Sequence, residues 1–257
     1  MSAETMKIVA VTTSLSEDST TLKLTDRILA AIASVGESVG IGLTTETLNI
    51  RSLASALTDM TLTGFRSEQL EAAFETVAAA DAVVTVSPVY KVAPVGLHTL
   101  FWQLIDEKAL TRKPVLIAST GGSPRHSLAG ETVLRPMLSY LKGIVVPTTV
   151  FAATDDWGSV EGGRALTARI RQAGEEFVSL TSTIIGAGRD DLAEVTGLPQ
   201  AEPGQSGAGS RSAGAESAAE SGAEPAAEPG VGRGRGPESE FDPERITPFA
   251  QLLEGRS

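Results

Sequence analysis

The stretch from Lys7 to Leu24 constrains this chain more than any other. Ile8-Val9-Ala10-Val11 is a short, β-branched apolar run, the pattern of a strand covered on both faces in a parallel sheet. It leads directly into Thr12, Thr13, Ser14, Ser16, Ser19, Thr20 and Thr21, after which Leu22, Leu24, Ile28, Leu29 and Ile32 recur at helical spacing. A strand that ends in hydroxyls facing a helix N-terminus makes an anion site. The first-turn N–H groups have no intrahelical partner, and the helix dipole favours negative charge. Ser19 alone would also serve as an ordinary N-cap, so capping stands beside anion binding as a reading of the same residues.

The loop narrows the anion further. No lysine or arginine occurs from Ile8 to Leu22, and Glu17 and Asp18 lie within it. The Gly-Lys-Ser/Thr ending of a P-loop and the G-x-G-x-x-G turn of a dinucleotide fold are both absent. What remains is a loop suited to one phosphate held by neutral donors, as in flavin mononucleotide (FMN) sites. Thr13, Ser14, Ser19 and Thr21 are the residues that would hold it.

The pattern continues as alternating strands and helices. After a helix to about Val35 and a turn at Gly36 to Gly40, a strand is expected near Ile41 to Ile50 and a loop from Arg51 to Arg66. Ser67-Glu68-Gln69-Leu70 opens a helix with Leu70, Phe74 and Val77 on one face. Ala82 to Ser87 is a third apolar strand, Pro88-Val89-Tyr90 a turn, and Val95 to Ile105 a helix carrying Leu97, Leu100, Phe101, Leu104 and Ile105. Pro114 to Ser119 reads as strand four, Leu128 to Leu141 as a helix, Ile144 to Ala152 as strand five and Glu161 to Ile185 as the closing helix. This alternation predicts an α/β fold with a doubly wound, five-stranded parallel sheet in residues 1–186.

The last quarter is different. Gly186 to Gly236 is composed of Gly, Ala, Glu, Pro and Ser with almost no large apolar residue, and it holds 12 of the chain's 26 glycines. Composition predicts a disordered linker over 187–240. Phe241, Ile246, Phe249, Leu252 and Leu253 then restore apolar character, so 241–257 reads either as a short docking element or as a frayed terminus. Residues 190–257 carry a charge of -8 of the total -11, leaving -3 for the remainder. Neither part is basic, so nucleic acid is not an expected partner.

With no cysteine and two histidines, thiol nucleophiles, disulfides and iron–sulfur clusters are excluded, and little is left for a zinc site. Redox chemistry would need an organic cofactor. Met1 to Lys7 is polar, and no apolar run approaches the about 20 residues of a membrane span, so a cytoplasmic protein without membrane contact is expected. Met6 offers a second possible start.

Chemistry concentrates at the carboxyl ends of three strands, where open α/β sheets bind ligands. The first is the hydroxyl loop. The second is Ser87-Pro88-Val89-Tyr90-Lys91, in which Tyr90 offers an aromatic face, although the run also suits a plain strand-to-helix turn. The third is Ser119-Thr120-Gly121-Gly122-Ser123, whose glycines allow close backbone approach to a ligand or simply a flexible connector.

These last two motifs, the helix from Gly96 to Leu104, His126 beyond Gly122, and Leu134-Arg135-Pro136 resemble the NADPH-dependent FMN reductase family, which has the flavodoxin-like fold. The similarity runs from Lys7 to about Trp157 and is strongest to the reductase halves of two-component flavin monooxygenase systems. Relatives carry Gly where this chain has Thr13, and many have an arginine near Leu15 or Ser16. The resemblance implies FMN and NAD(P)H as cofactors, with hydride transfer from nicotinamide to flavin and no catalytic side chain. It implies Pro88, Val89 and Tyr90 along the isoalloxazine and ribityl group, and Thr120, Gly121, Gly122 and Ser123 at the polar edge of the ring. His126 would touch the nicotinamide or flavin edge, or cap a helix. A homodimer or homotetramer and a flavin-dependent monooxygenase partner follow from the same likeness. Two other functions remain open: an FMN-binding electron carrier without a nicotinamide site, and a quinone or azo reductase.

Overall fold

The computed structural model describes residues 5–16 and 19–186, and the expectations for 187–240 and 241–257 lie outside them. The elements run β1 (Thr5–Thr12), α1 (Thr20–Ser38), β2 (Gly42–Asn49), a 3-10 turn (Ile50–Leu53), α2 (Ala54–Thr63), α3 (Glu68–Ala78), β3 (Ala82–Tyr90) and β4 (Ala93–Pro94). They continue with α4 (Gly96–Leu104), β5 (Pro114–Gly121), a π-helical turn (Gly130–Leu134), α5 (Arg135–Tyr140), β6 (Ile144–Val145), β7 (Val150–Ala153), α6 (Asp155–Gly158) and α7 (Val160–Gly186).

The backbone of the sheet is parallel in the order β2-β1-β3-β5-β6, with β7 also parallel on β5. Side chains alternate across each strand, so the two faces have separate cores. Val9, Val11, Val83, Val115 and Ile117 pack under α2 to α5, with Phe74, Phe101 and Trp102 at the centre. Ile8, Ala10, Val84, Leu116 and Ala118 pack under α1 and α7, whose Leu24, Ile28, Ile32, Ile170 and Phe177 cover them.

The sheet has seven strands, not the expected five, and the causes are local. The expected fifth strand is split by Pro147, which has no N–H for the ladder. Side chains from elsewhere take over the interrupted backbone: Glu176 of α7 accepts from Thr148 N–H at 2.8 Å, and Arg135 donates to the carbonyls of Val146 and Pro147. The seventh strand is β4, which returns antiparallel on β3 through Val89↔Pro94 and Tyr90↔Ala93. Pro88-Val89-Tyr90, expected as a turn, is therefore the last part of β3. Lys91 makes the hairpin turn at φ 61°.

Two helices also differ from expectation. Arg51 to Arg66 contains α2, which buries only Leu57 and so shows no helical period in the sequence. The expected helix from Leu128 opens as a π-turn, because Pro136 offers no N–H to the carbonyl four residues back.

One buried polar group crosses the first core. His98, in the opening turn of α4, is fully buried, with Nδ1 2.8 Å from Thr13 Oγ1 and Nε2 2.7 Å from Thr85 Oγ1. Desolvation lowers its pKa to about 3, so the imidazole is neutral in the folded protein. The unfolded chain binds a proton at this residue near pH 6.5 that the native state refuses, so stability falls as pH drops from 6.5 toward 3 and is flat above. Glu131 and Glu176 are held below the usual carboxylate range, chiefly by the Arg135 hydrogen bond and, against its own desolvation, by the Thr148 bonds respectively; their contributions are lost only below about pH 4.5. Between pH 6.5 and 4.5, the unfolding free energy of the wild type, read from urea titrations, should therefore fall by up to about 1.4 kcal/mol per pH unit, while that of His98→Gln shows no such slope. Parallel curves for the two proteins would contradict the assignment.

Candidate functional site

The register of the sheet brings the three strand ends together. Thr12 lies opposite Val86, and Pro88 lies opposite Thr120, so the loops after β1 and β5 flank the outer part of β3. Between them is a cleft of about 380 Å³. Its walls include Ser16, Ser19, Thr20 and Thr21 from the β1–α1 loop, Pro88, Val89 and Tyr90 from β3, and Thr120, Gly121 and Gly122 from the end of β5. Among the described residues, no carboxylate, imidazole or amine lines it.

The hydroxyls of the first loop do different jobs. Ser19 is the N-cap of α1, its Oγ accepting from Thr21 N–H at 3.1 Å. Thr21 Oγ1 lies 2.8 Å from Thr120 Oγ1, a buried contact that ties the start of α1 to β5 across 99 residues of sequence. Thr25 extends the same ladder by donating to Thr12 Oγ1 and to Thr21 O. Ser16 and Thr20 are exposed at the cleft.

Thr13 and Ser14 lie beneath the cleft rather than on its wall. Both are buried: Thr13 meets His98, and Ser14 Oγ donates to Ser16 O at 2.6 Å while its N–H bonds Asn49 Oδ1 at 3.1 Å. Ser123 and His126 fall beyond the cleft, in and before the 3-10 turn Pro124–His126. His126 Nδ1 is buried without a hydrogen-bond partner among the described residues. Its Cβ sits near Gly121, where an added methyl would be 3.4 Å away.

Sequence reasoning missed the far wall, made by Ala152, Thr154 and Trp157. These follow β7, and only the displaced register of the split strand carries them to the end of β5. The Trp157 ring is backed by Arg27 of α1, whose guanidinium carbon lies 5.3 Å from the ring centre and whose Nη2 donates to Thr167 Oγ1 at 2.8 Å. Tyr90 stands at the mouth, 56% exposed. His98 was missed as well; a lone histidine four residues before Trp102 on an apolar helix face was the available sign.

The comparisons agree with this geometry. The family model for NADPH-dependent FMN reductase matches residues 6–158, which contain every element around the cleft. An "FMN reductase (NADPH)" of Pseudomonas aeruginosa is 33% identical over 190 residues, 74% of this chain and 97% of that protein. The "NADH-dependent FMN reductase SfnE" of Pseudomonas putida is 33% identical over 176 residues, 68% of this chain and 92% of that protein. Among solved structures, an oxidoreductase of Corynebacterium diphtheriae superposes with a TM-score of 0.65 at 37% identity, covering 69% of this chain and 98% of its own. An apo NADH:FMN oxidoreductase (EMOB) gives 0.56 at 27% identity, covering 66% and 88%. A parallel α/β sheet with three strand ends converging on one cleft and these relatives lead to one conclusion: the chain belongs to the NADPH-dependent FMN reductase family, as an NAD(P)H:FMN oxidoreductase.

Proposed function

We propose that the cleft takes FMN with its phosphate toward the β1–α1 loop and its ring between Pro88-Val89-Tyr90 and Thr120-Gly121-Gly122. In this reading the reduced flavin leaves the protein to serve a flavin-dependent monooxygenase. The observation that carries it is the open cleft with neutral donors at one end and an exposed aromatic at the other. FMN, when bound, supplies the redox chemistry by accepting hydride from nicotinamide C4 at flavin N5.

The residues present fit that group. The first-turn N–H groups of α1 and the hydroxyls of Ser16, Ser19 and Thr20 offer hydrogen-bond donors suited to an anion. The two glycines act differently. A Cβ on Gly121 would come within 2.9 Å of Phe151 Cζ, so its bareness admits the neighbouring strand. A Cβ on Gly122 would meet nothing within 4 Å, and Gly122 lines the cleft, so its bareness leaves room for a ligand. The chain's tasks are to stack the ring on Tyr90 and to leave its other face to nicotinamide. The domain itself is residues 1–186, acting in the cytoplasm.

Gly122→Ala should leave the melting free energy within about 0.5 kcal/mol of wild type while weakening FMN binding several-fold, read by flavin fluorescence. Gly121→Ala should instead destabilise by about 1–3 kcal/mol through its clash with Phe151. Equal effects of both on stability would remove the distinction.

The purified protein should oxidise NADPH or NADH when FMN is added, and should support a flavin-dependent monooxygenase held behind a dialysis membrane. Bound flavin that is reduced only by another reductase, with no direct NAD(P)H oxidation, would establish an electron carrier instead.

A further inference from the structure

One buried side chain of α4 bonds both the start of the loop after β1 and the middle of β3. His98 follows the β3–β4 hairpin directly, in the first turn of α4, and meets Thr13 at the entry to the loop. Trp102, one turn further on, directs its indole N–H at His98 Nε2 and at Thr85 Oγ1, 3.2 Å from each. An indole N–H can only donate. With the imidazole proton on Nε2, that N–H would face the indole N–H 3.2 Å away, donor against donor. With the proton on Nδ1, Thr85 donates to Nε2 and accepts from Trp102, and Nδ1–H donates to Thr13 Oγ1. The network therefore assigns the Nδ1–H tautomer.

Thr13 is then anchored twice, by His98 and by its own N–H to Val86 O at 3.2 Å. Ser14 follows with its N–H on Asn49 Oδ1. An apolar residue would satisfy the packing of α4, whose neighbouring buried positions are Phe101 and Trp102. A buried imidazole is costly unless fully bonded, and this one is bonded at both nitrogens.

We propose that His98 is a positioning residue for the flavin phosphate: through Nδ1–H it fixes Thr13, and so holds the β1–α1 loop in register with the hairpin that carries Tyr90. The proposal rests on the reading that this loop receives the phosphate of FMN.

Two amide variants separate positioning from support of the core. Asn at 98 places its NH2 where Nδ1 stands and keeps the bond to Thr13. Gln reaches the Nε2 position and keeps Thr85 but gives up Thr13. Each loses one hydrogen bond, so a purely structural role predicts equal effects. The readout is the ratio of FMN to riboflavin affinity, since the two ligands differ only in the phosphate. His98→Gln should lower this ratio by up to roughly tenfold, the upper worth of one intramolecular hydrogen bond, with riboflavin affinity within about twofold of wild type. His98→Asn should keep the wild-type ratio. Thr13→Val, which preserves shape, should reproduce the His98→Gln loss, and the double variant should add nothing to it. An unchanged ratio in Thr13→Val, or equal ratios in His98→Asn and His98→Gln, would overturn the positioning role while leaving the phosphate reading intact. Wild-type protein that binds riboflavin as tightly as FMN would overturn both.

Discussion

The pairing of β3 between β1 and β5 governs everything else in this molecule. Both faces of these strands are buried, so their side chains alternate between two cores, and a slip of one residue would exchange the cores and expose neither correctly. The register that satisfies burial also sets Thr12 beside Val86 and Pro88 beside Thr120. The cleft is thus a consequence of core packing. It lies where the apolar ladder ends and the strands deliver hydroxyls, a proline and glycines instead of valines.

Much of the fold was legible because burial on both faces forces continuous apolar runs. Ile8 to Val11, Ala82 to Val86 and Val115 to Ala118 could be read directly, and so could the helices whose apolar faces repeat, such as that of Leu70, Phe74 and Val77. What escaped depended on residues far away in sequence. The split of the last strand needs Glu176 and Arg135 to take the backbone groups around Pro147, and neither residue is marked for that duty by its neighbours. Helix α2 was invisible because it covers the sheet edge with one buried leucine.

The site shows the same division. Ser19, Thr21, Pro88, Val89, Tyr90, Thr120, Gly121 and Gly122 were read from strand ends and do line one cleft. Thr13 and Ser14 were read with them, yet both are buried past the end of β1, where one is bound to His98 and the other to Asn49 and Ser16 O. Position along a strand end identifies the loop, and only the three-dimensional hydrogen bonding separates residues that face a ligand from those that hold the loop in place.

This division bears on how tightly a flavin can be held. Under the proposed binding mode, two hydroxyls of the loop are already in use, Ser14 on Ser16 O and Thr21 with Thr120. Either of these would give up an internal bond to reach the phosphate, whereas Ser19 accepts from Thr21 N–H and keeps its own proton, and Ser16 and Thr20 stand at the cleft. Among the described residues no lysine or arginine lines the cleft to add attraction, and the Arg27 guanidinium is engaged with the Trp157 ring. In that mode the ring against Tyr90 and the β5 glycines would add to what the neutral donors give the phosphate. An FMN held without a cationic clamp would be free to leave once reduced, as the proposed supply of reduced flavin requires.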